Sequence, residues 1–322
     1  MSIGFPWYVV KGDINIENFK KFRTVDRGFI WRGYTYENQM LPAATEYNEY
    51  NEKFKKMEDR TNICYPKAEI QRVSQKLYEL NKLKKFPFEI PLLIRKVLFP
   101  GFYQPENILF KEMQIKEFPD NSLAQAMAIV QDEFRGTSLL DFTMNKFKAL
   151  YFAIGNDKTF SKDSYIFGLN VPYFEATKGN LNGENSSSEY RDTFDILYPS
   201  YFMNDRIAQQ EGVFLYQKFK INDDGYITGN KKYLNIITFF NEHFKKDQSR
   251  ENPFLFKEIT LDDFLKLTEK EGDKPIFFVS LKVPINEKKK LKKYLKGIGI
   301  TEKRMMNSIN KKIFYKCKTN CT

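Results

Sequence analysis

Residues 137 to 154 read Thr-Ser-Leu-Leu-Asp-Phe-Thr-Met-Asn-Lys-Phe-Lys-Ala-Leu-Tyr-Phe-Ala-Ile. The first half is a short apolar run with hydroxyls at Thr137 and Ser138, and the second half changes to helical spacing from Phe147 onward. Residue types that cap helices crowd between Asp141 and Asn145. The stretch therefore predicts a strand that passes through a polar turn into a helix. Such a junction suits phosphate or ribose binding, and it is also the ordinary way in which a strand meets a helix.

Composition indicates a packed globule. The 322 residues are 42% hydrophobic and 16% aromatic, which is enough for a full core in one large domain or two modest ones. The excess of Phe, Tyr, Ile, Asn and Lys is typical of an A/T-rich coding sequence, so single aromatics and lysines carry little functional weight. No apolar run approaches the roughly 18 residues of a membrane helix, and no basic leader precedes the apolar patch near the N-terminus. We therefore expect no membrane partner.

Cysteine and histidine are scarce. Cys64, Cys317 and Cys321 are an odd number in a long chain, which suits a reducing cytoplasm better than a disulfide scaffold. The one histidine is His243, so a zinc site of the usual composition is not expected, and we expect no metal. A Ser-His-Asp or Cys-His mechanism is excluded unless His243 is the base, and His243 stands in a lysine-rich stretch that suggests a solvated helix.

The basic residues concentrate near the C-terminus. Between residues 286 and 318, twelve Lys or Arg stand against Glu287 and Glu302, a balance of +10 in a chain of net charge +11. One interpretation is a surface for a polyanion such as RNA or DNA. The other is a solvated helix face, since the residues are mostly lysines with few aromatics between them. The sequence leaves both open.

An arginine ends an early predicted strand. Residues 28 to 34, Gly-Phe-Ile-Trp-Arg-Gly-Tyr, form a short apolar run that ends on Arg32 and Gly33. A charged side chain at the end of a buried strand is costly unless it meets an anion. Gly33 beside it would let a ligand approach the backbone.

The remaining chain alternates helical and strand signals. Residues 45 to 120 are charged with helical apolar spacing and predict a helical insertion. A capping box at Thr260 predicts a helix that ends at Gly272. The other expected elements are a strand at 7–10, a turn at 12–13, a helix at 16–22, a helix at 121–133, a strand at 165–171, a loop at 178–189, a polar cluster leading into a strand at 204–216, a strand at 276–283, a basic helix from 286 and a short helix around 305.

Three junctions together resemble a known family. They are Trp31-Arg32-Gly33, Thr137-Ser-Leu-Leu-Asp141-Phe-Thr143 and Arg206-Ile-Ala-Gln-Gln210-Glu-Gly212-Val-Phe214. In this order and spacing they resemble the FRG domain, which is named for a Phe/Tyr-Arg-Gly motif. Ala149-Leu-Tyr-Phe-Ala153 and Leu281-Lys-Val-Pro284 with Gly297-Ile-Gly-Ile-Thr301 also resemble it. The likeness implies a single FRG-type domain over residues 1–322, with the helical insertion inside it.

The chain departs from the family at two places. Gln131-Asp132 stands where the family has Gln-His, and Thr137-Ser138 stands where it has Thr-Arg. The roles of that His and that Arg therefore do not carry over.

FRG domains are similar to ADP-ribosyltransferases, so the resemblance implies an α+β fold with a split, curved β-sheet and flanking helices. It also implies NAD as a substrate and a three-part site on three strands. Arg32 would meet the NAD phosphate or ribose, and the hydroxyl pair on the second strand would orient the nicotinamide ribose. The residues implied as catalytic are Arg32, Thr137, Gln210 and Glu211. The residues implied as cofactor-binding are Arg32, Gly33, Thr137, Ser138 and Asp141.

The chemistry explains why such residues would be needed. Cleavage of the nicotinamide–ribose bond builds positive charge on the sugar, which the site must stabilise. A carboxylate does this better than an amide, because charge-assisted hydrogen bonds are roughly twice as strong as neutral ones. The third position is Gln210 or Glu211, and if it is Gln210 the charge must come from Glu211 or Asp132.

Two classes of function are open on the sequence. The first is an ADP-ribosyltransferase that modifies a macromolecule, with RNA or DNA favoured over protein by the basic segment. Such an enzyme would be a toxin or antiviral-defence effector, with an antitoxin or regulatory protein as a further partner. The second is a non-catalytic module of the same fold that binds a nucleotide or nucleic acid. NAD turnover separates the two.

Overall fold

The computed structural model describes residues 7–22, 28–35, 40, 73, 117–119, 121–134, 137–155, 160–179, 194–199, 205–221, 227–228, 235–240 and 256–306. The predicted insertion at 45–120 lies outside these residues, apart from the buried Val73 and residues 117–119. His243, the three cysteines and the basic segment beyond residue 306 also lie outside them.

The described strands are β1 Trp7–Asp13, β2 Phe29–Tyr34, β3 Glu117–Phe118, β4 Leu139–Thr143, β5 Ser164–Asn170, β6 Phe194–Leu197, β7 Gly212–Gln217, β8 Phe219–Ile221, β9 Ile227–Thr228, β10 Phe256–Thr260 and β11 Ile276–Val283. The described helices are α1 Ile16–Lys21, α2 Asn121–Phe134, α3 Lys146–Ile154, α4 Val171–Gly179, α5 Asp205–Gln210, α6 Leu261–Glu271, α7 Ile285–Gly297 and α8 Glu302–Met306. Residues 236–240 are also helical. The chain is therefore a mixed α/β protein, and this is compatible with the α+β class expected from the sequence.

Eight of the described strands form one open mixed sheet in the order β10-β1-β11-β5-β2-β4-β7-β6. At one edge β10, β1 and β11 run parallel, and helix α6 packs on β1 as it connects β10 to β11. From β11 to β6 all neighbours are antiparallel. The smaller sheet β3-β8-β9 includes Glu117 and Phe118, so the end of the segment expected to be helical is a strand.

Within the large sheet, β2 and β4 share the fewest paired residues. These strands pair at Trp31–Thr143, whereas β2 and β5 pair over six successive residues from Phe29 to Tyr34. We call the segments Trp31–Tyr34 of β2 and Leu139–Thr143 of β4 the fork. A fork with little backbone pairing leaves space for side chains between its two strands.

The central stretch folds as its pattern predicts. Strand β4 leads through Met144 and Asn145 into α3, and Asn145 Oδ1 accepts hydrogen bonds from the backbone N–H groups of Phe147 and Lys148. This satisfies two donors that the first helical turn otherwise leaves without partners. The strand-to-helix turn is thus fixed by one side chain.

Strand alternation divides the core between the two faces of the sheet. One cluster lies under α1, α3, α6 and α7; its members include Tyr8, Phe19, Trp31, Leu150, Phe264 and Leu291. The other lies under α4 and residues 236–240; its members include Val9, Ile30, Leu140, Phe142, Phe167, Phe240 and Phe278. Among the described residues, both faces of the sheet are therefore covered around β2 and β5.

Other elements agree with the sequence or extend it. The Thr260 hydroxyl caps α6, which ends at Gly272, and β11 spans residues 276–283 as predicted. The predicted turn at 12–13 is wrong, because both residues belong to β1. The polar cluster before β7 is the short helix α5, and α4 covers residues 178–179 at the start of the predicted loop.

Candidate functional site

Arg32 lies at the fork and reaches from β2 to β4. The Arg32 Nη1 donates a hydrogen bond to the backbone carbonyl of Asp141 at 2.5 Å, and its side chain is half-buried. The β2–β4 register would set residues 32–34 opposite residues 140–142, where the ladder of backbone bonds has ended. Arg32 therefore joins the two strands where backbone pairing does not.

A buried polar cluster lies beside this contact. Gln131 on α2 is 5% exposed, and its Oε1 accepts from both the backbone N–H and the hydroxyl of Thr137, each at 2.8 Å. Its Nε2 donates to the Asp141 carboxylate at 3.2 Å. Thr137 and Ser138 are fully buried, whereas Asp141 is exposed. We call Gln131, Thr137 and Asp141 the first cluster.

A second cluster lies at the other end of β4. The Thr143 hydroxyl donates to the Gln210 carbonyl at 2.7 Å, and Lys148 Nζ lies 2.6 Å from Glu211 Oε1 and 2.5 Å from the Gln209 carbonyl oxygen. The Asn145 side-chain amide lies 3.4 Å from the same Glu211 oxygen. This cluster joins the N-terminus of α3 to the junction between α5 and β7.

Glu211 has a strained backbone. Its φ is +50°, in the left-handed region that favours glycine, and such a conformation costs about 1 to 3 kcal/mol. Its N–H donates to the Ala208 carbonyl and its own carbonyl accepts from the Met144 N–H, so the turn from α5 into β7 requires this geometry. The Glu211 side chain is 42% exposed and its partner Lys148 is 13% exposed. The carboxylate is thus matched by one partly buried cation.

The structure does not bring all predicted site residues to one point. Thr143 pairs with Gly212, so Gln210 and Glu211 lie at the end of β4 opposite to Thr137. The four steps of β4 alone span about 13 Å, and Thr137 lies two residues beyond them. Thr137 and Gln210 therefore do not contact the same ribose in this arrangement. Arg32, between the two ends, is joined to Asp141.

Arg32 differs from Asp141 and Thr143 in the face of the sheet that its side chain occupies, since Leu140 and Phe142, which alternate with Asp141 and Thr143 on β4, belong to the apolar cluster under α4. Ile30 and Tyr34, which lie two residues before and after Arg32 on β2, belong to that same cluster. Trp31, the partner of Thr143 across the fork, belongs to the cluster under α3. Arg32 thus leaves β2 on one face, and the Thr143 side chain leaves β4 on the other.

The sequence predicted that Gly33 would let a ligand approach the backbone, but in the structure Gly33 packs against a helix. A β-carbon at this position would overlap the Ala149 carbonyl oxygen and the Ala153 nitrogen of α3. The close approach of β2 to α3 therefore explains the glycine, and the helix occupies the space that the sequence assigned to a ligand. The position of Gly33 depends on the small side chains at residues 149 and 153.

Sequence reasoning missed Gln131 and Lys148 as members of these clusters. A signal for Gln131 was its place four residues after the buried Met127, on the face of α2 that also carries Ala124 and Ala128. A glutamine there must find partners when buried. Lys148 follows the N-cap Asn145 by three residues, and nothing in its spacing pointed to Glu211. The side chain of Asp132 is outside the described part of the chain.

Tyr151 is a further polar group near α3. Its hydroxyl is buried and lacks a hydrogen-bond partner among the described residues. Burial raises the pKa of Tyr151, and the nearby Glu302 carboxylate raises it further. The side chain packs edge-to-face on Phe152 and remains neutral, so it contributes to the core and not to charge.

Over the residues that the structure describes, no three His, Cys, Asp or Glu side chains come close enough to share a metal ion. The helices of that same part of the chain are all too short or too polar to cross a membrane. No family model, no curated protein and no solved structure is detectably similar to this chain. The resemblance to the FRG domain rests on the quoted motifs.

Proposed function

We propose that the protein binds NAD at the fork and transfers its ADP-ribose to a macromolecular acceptor. The observation that carries the proposal is that three motifs far apart in sequence fall on neighbouring strands. Arg32 lies on β2, Asp141 on β4, and Gln210 and Glu211 precede β7, in a sheet where β2, β4 and β7 are adjacent. The narrow β2–β4 pairing supports comparison with the split sheet of ADP-ribosyltransferases.

In the reaction the bond from ribose C1′ to the nicotinamide nitrogen breaks, and nicotinamide leaves with the bonding electron pair. An acceptor oxygen or nitrogen then bonds to C1′ and loses its proton to water or to a nearby base. Positive charge develops on the ribose during this step, and a fixed carboxylate stabilises it. The chain must therefore supply one cationic anchor for the pyrophosphate and one carboxylate near C1′.

Arg32 suits the first task. Its side chain is half-buried and its guanidinium is held at the fork by the Asp141 carbonyl, so it is positioned before the ligand arrives. A planar guanidinium matches phosphate oxygens in a bidentate manner. A positioned arginine at this place binds the anionic half of NAD.

Asp141 is better placed than Glu211 for the second task. Asp141 is exposed, its backbone carbonyl accepts the Arg32 hydrogen bond, and its carboxylate is held by the neutral amide of Gln131. Glu211 instead contacts the ammonium of Lys148, which offsets its charge. A carboxylate whose charge is already matched stabilises a nearby cation less. We therefore assign the carboxylate role to Asp141 and a structural role to the Lys148–Glu211 pair.

The test measures NAD binding by calorimetry and nicotinamide release by chromatography in the same variants. Arg32→Ala should weaken NAD binding by about 1.5 to 3 kcal/mol, the range for a hydrogen bond to a charged group. Asp141→Asn should retain binding and lose turnover, while Glu211→Gln should keep most turnover. Lys270→Ala, an exposed change of equal charge on α6, is the matched control.

Two results would contradict the proposed roles of Arg32 and of the acceptor. Intact affinity in Arg32→Ala, with a large loss of thermal stability, would make Arg32 purely structural. Free ADP-ribose as the sole product, with every acceptor unlabelled, would replace transfer by hydrolysis.

A second function is favoured by the internal pairing of both clusters. Thr137 bonds to Gln131, Lys148 to Glu211, and the Gln210 amide donates to the Met305 carbonyl at 3.1 Å. A module whose polar groups are satisfied within the chain can hold a nucleotide without turnover. NAD binding that depends on Arg32, with no nicotinamide released, would identify this non-catalytic module.

A further inference from the structure

Helix α7 separates its apolar and basic residues. Leu291 and Leu295 are buried in the core, and Lys288 is buried beside them. Six basic side chains of α7 and α8 are exposed: Lys289, Lys290, Lys293, Lys296, Lys303 and Arg304. We call these six residues the basic face.

The basic face lacks matching acids. Among the described residues, the one member with an ion-pair partner is Lys290, which contacts Glu287 at 2.8 Å. Over Ile285–Gly297 the sequence has six lysines and one glutamate, a balance of +5. Unmatched like charges on one helix cost stability, since like-charge pairs at helical spacing repel. Such a surface is stabilised when an anion covers it.

Helix α6 provides an internal comparison. It is also amphipathic and exposed, yet over Leu261–Glu271 it has two lysines against four acids, a balance of −2. Its Lys266 lies 3.3 Å from Asp263, and its Glu269 lies 3.5 Å from Lys21 of α1. The lysine-rich composition of the chain therefore does not by itself make an exposed helix basic. The excess of positive charge on α7 therefore needs an explanation other than the overall composition.

We propose that the basic face binds the phosphate backbone of a nucleic acid, which on the proposed function is the acceptor of ADP-ribose. Lys289, Lys293 and Lys296 are spaced i, i+4 and i+7 and form one stripe. The stripe is about 10 Å long at 1.5 Å per residue. One strand of B-form DNA places a phosphate about every 3.4 Å along the axis, so the stripe matches about three phosphates.

The structure favours a nucleic acid over a membrane surface or a protein as the partner of the basic face. A helix that lies on a membrane inserts its apolar face, whereas the Leu291 and Leu295 face of α7 is already buried in the core. Protein interfaces are depleted of lysine at their centres, and the basic face has no aromatic anchor. Tyr294, the nearest aromatic, is partly buried, and Lys20 of α1 lies over its ring at 4.5 Å.

The basic face adjoins the second cluster. Helix α8, which carries Lys303 and Arg304, packs against α5. The Gln210 side-chain amide at the end of α5 donates to the Met305 carbonyl of α8 at 3.1 Å. A nucleic acid held on α7 and α8 is therefore presented to the start of β7, at the edge of the candidate site.

The test is fluorescence anisotropy with labelled duplex DNA, single-stranded DNA and single-stranded RNA of about 20 nucleotides, without NAD, over about 50 to 200 mM salt. One variant carries Lys289→Gln, Lys293→Gln and Lys296→Gln. The control carries Lys257→Gln, Lys266→Gln and Lys270→Gln, which removes the same charge from exposed positions elsewhere. Equal melting temperatures and circular dichroism spectra confirm that both variants fold.

Loss of three phosphate contacts should reduce the slope of log K against log salt by about 2 and weaken binding about 100-fold near 0.1 M salt, while the control loses little. Three outcomes would overturn the proposal: equal losses in both variants, no binding of DNA or RNA at the lowest salt, or tighter binding to phosphatidylserine vesicles through the same lysines. Nicotinamide release is measured separately. Oligonucleotide binding without NAD turnover would leave the basic face standing and refute the transferase, and turnover without oligonucleotide binding would do the reverse.

Discussion

Replacing Gln131 by methionine tests the first cluster most directly. Methionine has a similar volume but no amide, so the backbone N–H and the hydroxyl of the fully buried Thr137 both lose their acceptor. Each buried polar group left without a partner costs about 1 to 3 kcal/mol, which gives about 2 to 6 kcal/mol for the pair. Asp141 also loses one bond, at little cost, because it is exposed and water can replace the amide.

The assay is urea unfolding followed by far-ultraviolet circular dichroism, with midpoints compared at equal slope. Gln125→Met on the same helix is the control, because the Gln125 amide donates to the exposed Tyr198 carbonyl at 3.3 Å and its loss should change stability by less than about 0.5 kcal/mol.

Gln131→Glu tests the direction in which stability changes with pH. The introduced carboxylate would face Asp141 across the present 3.2 Å contact, and repulsion together with burial would raise its pKa in the folded state. This variant should therefore be least stable at neutral pH and gain stability, relative to the wild type, as pH falls through that raised pKa. The reasoning is refuted if Gln131→Met costs no more than Gln125→Met, or if the deficit of Gln131→Glu does not change with pH.

Three further results are expected from thermal or chemical unfolding. Glu211→Gly should be more stable than Glu211→Ala by about 1 kcal/mol, because glycine relieves the positive φ while both lose the carboxylate; equal stabilities would contradict the strain. Gly33→Ala should cost about 3 kcal/mol or more, because the added methyl group overlaps α3, and a neutral effect would show that α3 can shift. Hydrogen bonds from Lys282 and from the Ile285 N–H lower the pKa of Asp163 in the folded protein. The stability that the Asp163 carboxylate contributes is therefore present above the ordinary carboxyl pKa and lost as pH falls through the lowered pKa of the folded state. As pH falls below about 4, Asp163→Asn should lose less stability than the wild type does.

The local structure of the central stretch was predictable from the sequence. The change from a short apolar run to helical spacing and the capping side chain at Asn145 depend on near neighbours in the chain. The same is true of the Thr260 cap and of strand β11 before Pro284. Wherever one face of an element is buried and its end is capped by a nearby residue, the sequence pattern was sufficient.

The arrangement of the site was not predictable in the same way, because it depends on register between strands far apart in sequence. Thr137 and Thr143 both bear hydroxyls in one motif, and the pairing with Gly212 decides which of them meets Gln210. The family resemblance favoured Thr137, whose hydroxyl instead bonds to Gln131. A one-motif pattern does not contain this information.

Gly33 illustrates the same limit from packing. Beside Arg32 it suggested room for a ligand, but two small residues spaced i, i+4 on α3, Ala149 and Ala153, let the helix approach β2 closely. That spacing was present in the sequence and was treated as a family motif. Together with Gly33, the i, i+4 spacing of Ala149 and Ala153 indicates a close contact between a helix and a strand. The sequence does not show that α3 packs on β2, so it does not show where this contact lies.

The charges around the sheet are separated in a way that suits the two proposals together. The carboxylate assigned to the ribose, Asp141, is held by a neutral amide at the fork, and Glu211 is matched by Lys148. The unmatched cations lie on α7 and α8, of which α8 packs against α5 next to Glu211. A nucleic acid would thus be attracted to the helices by its phosphates and repelled from Asp141. If both proposals hold, its phosphates would remain on the basic face, and an uncharged base or sugar hydroxyl would be the part that approaches the ribose of NAD. On that proposal, the negative charge that would stabilise the developing cation would also select which atoms of the acceptor reach it.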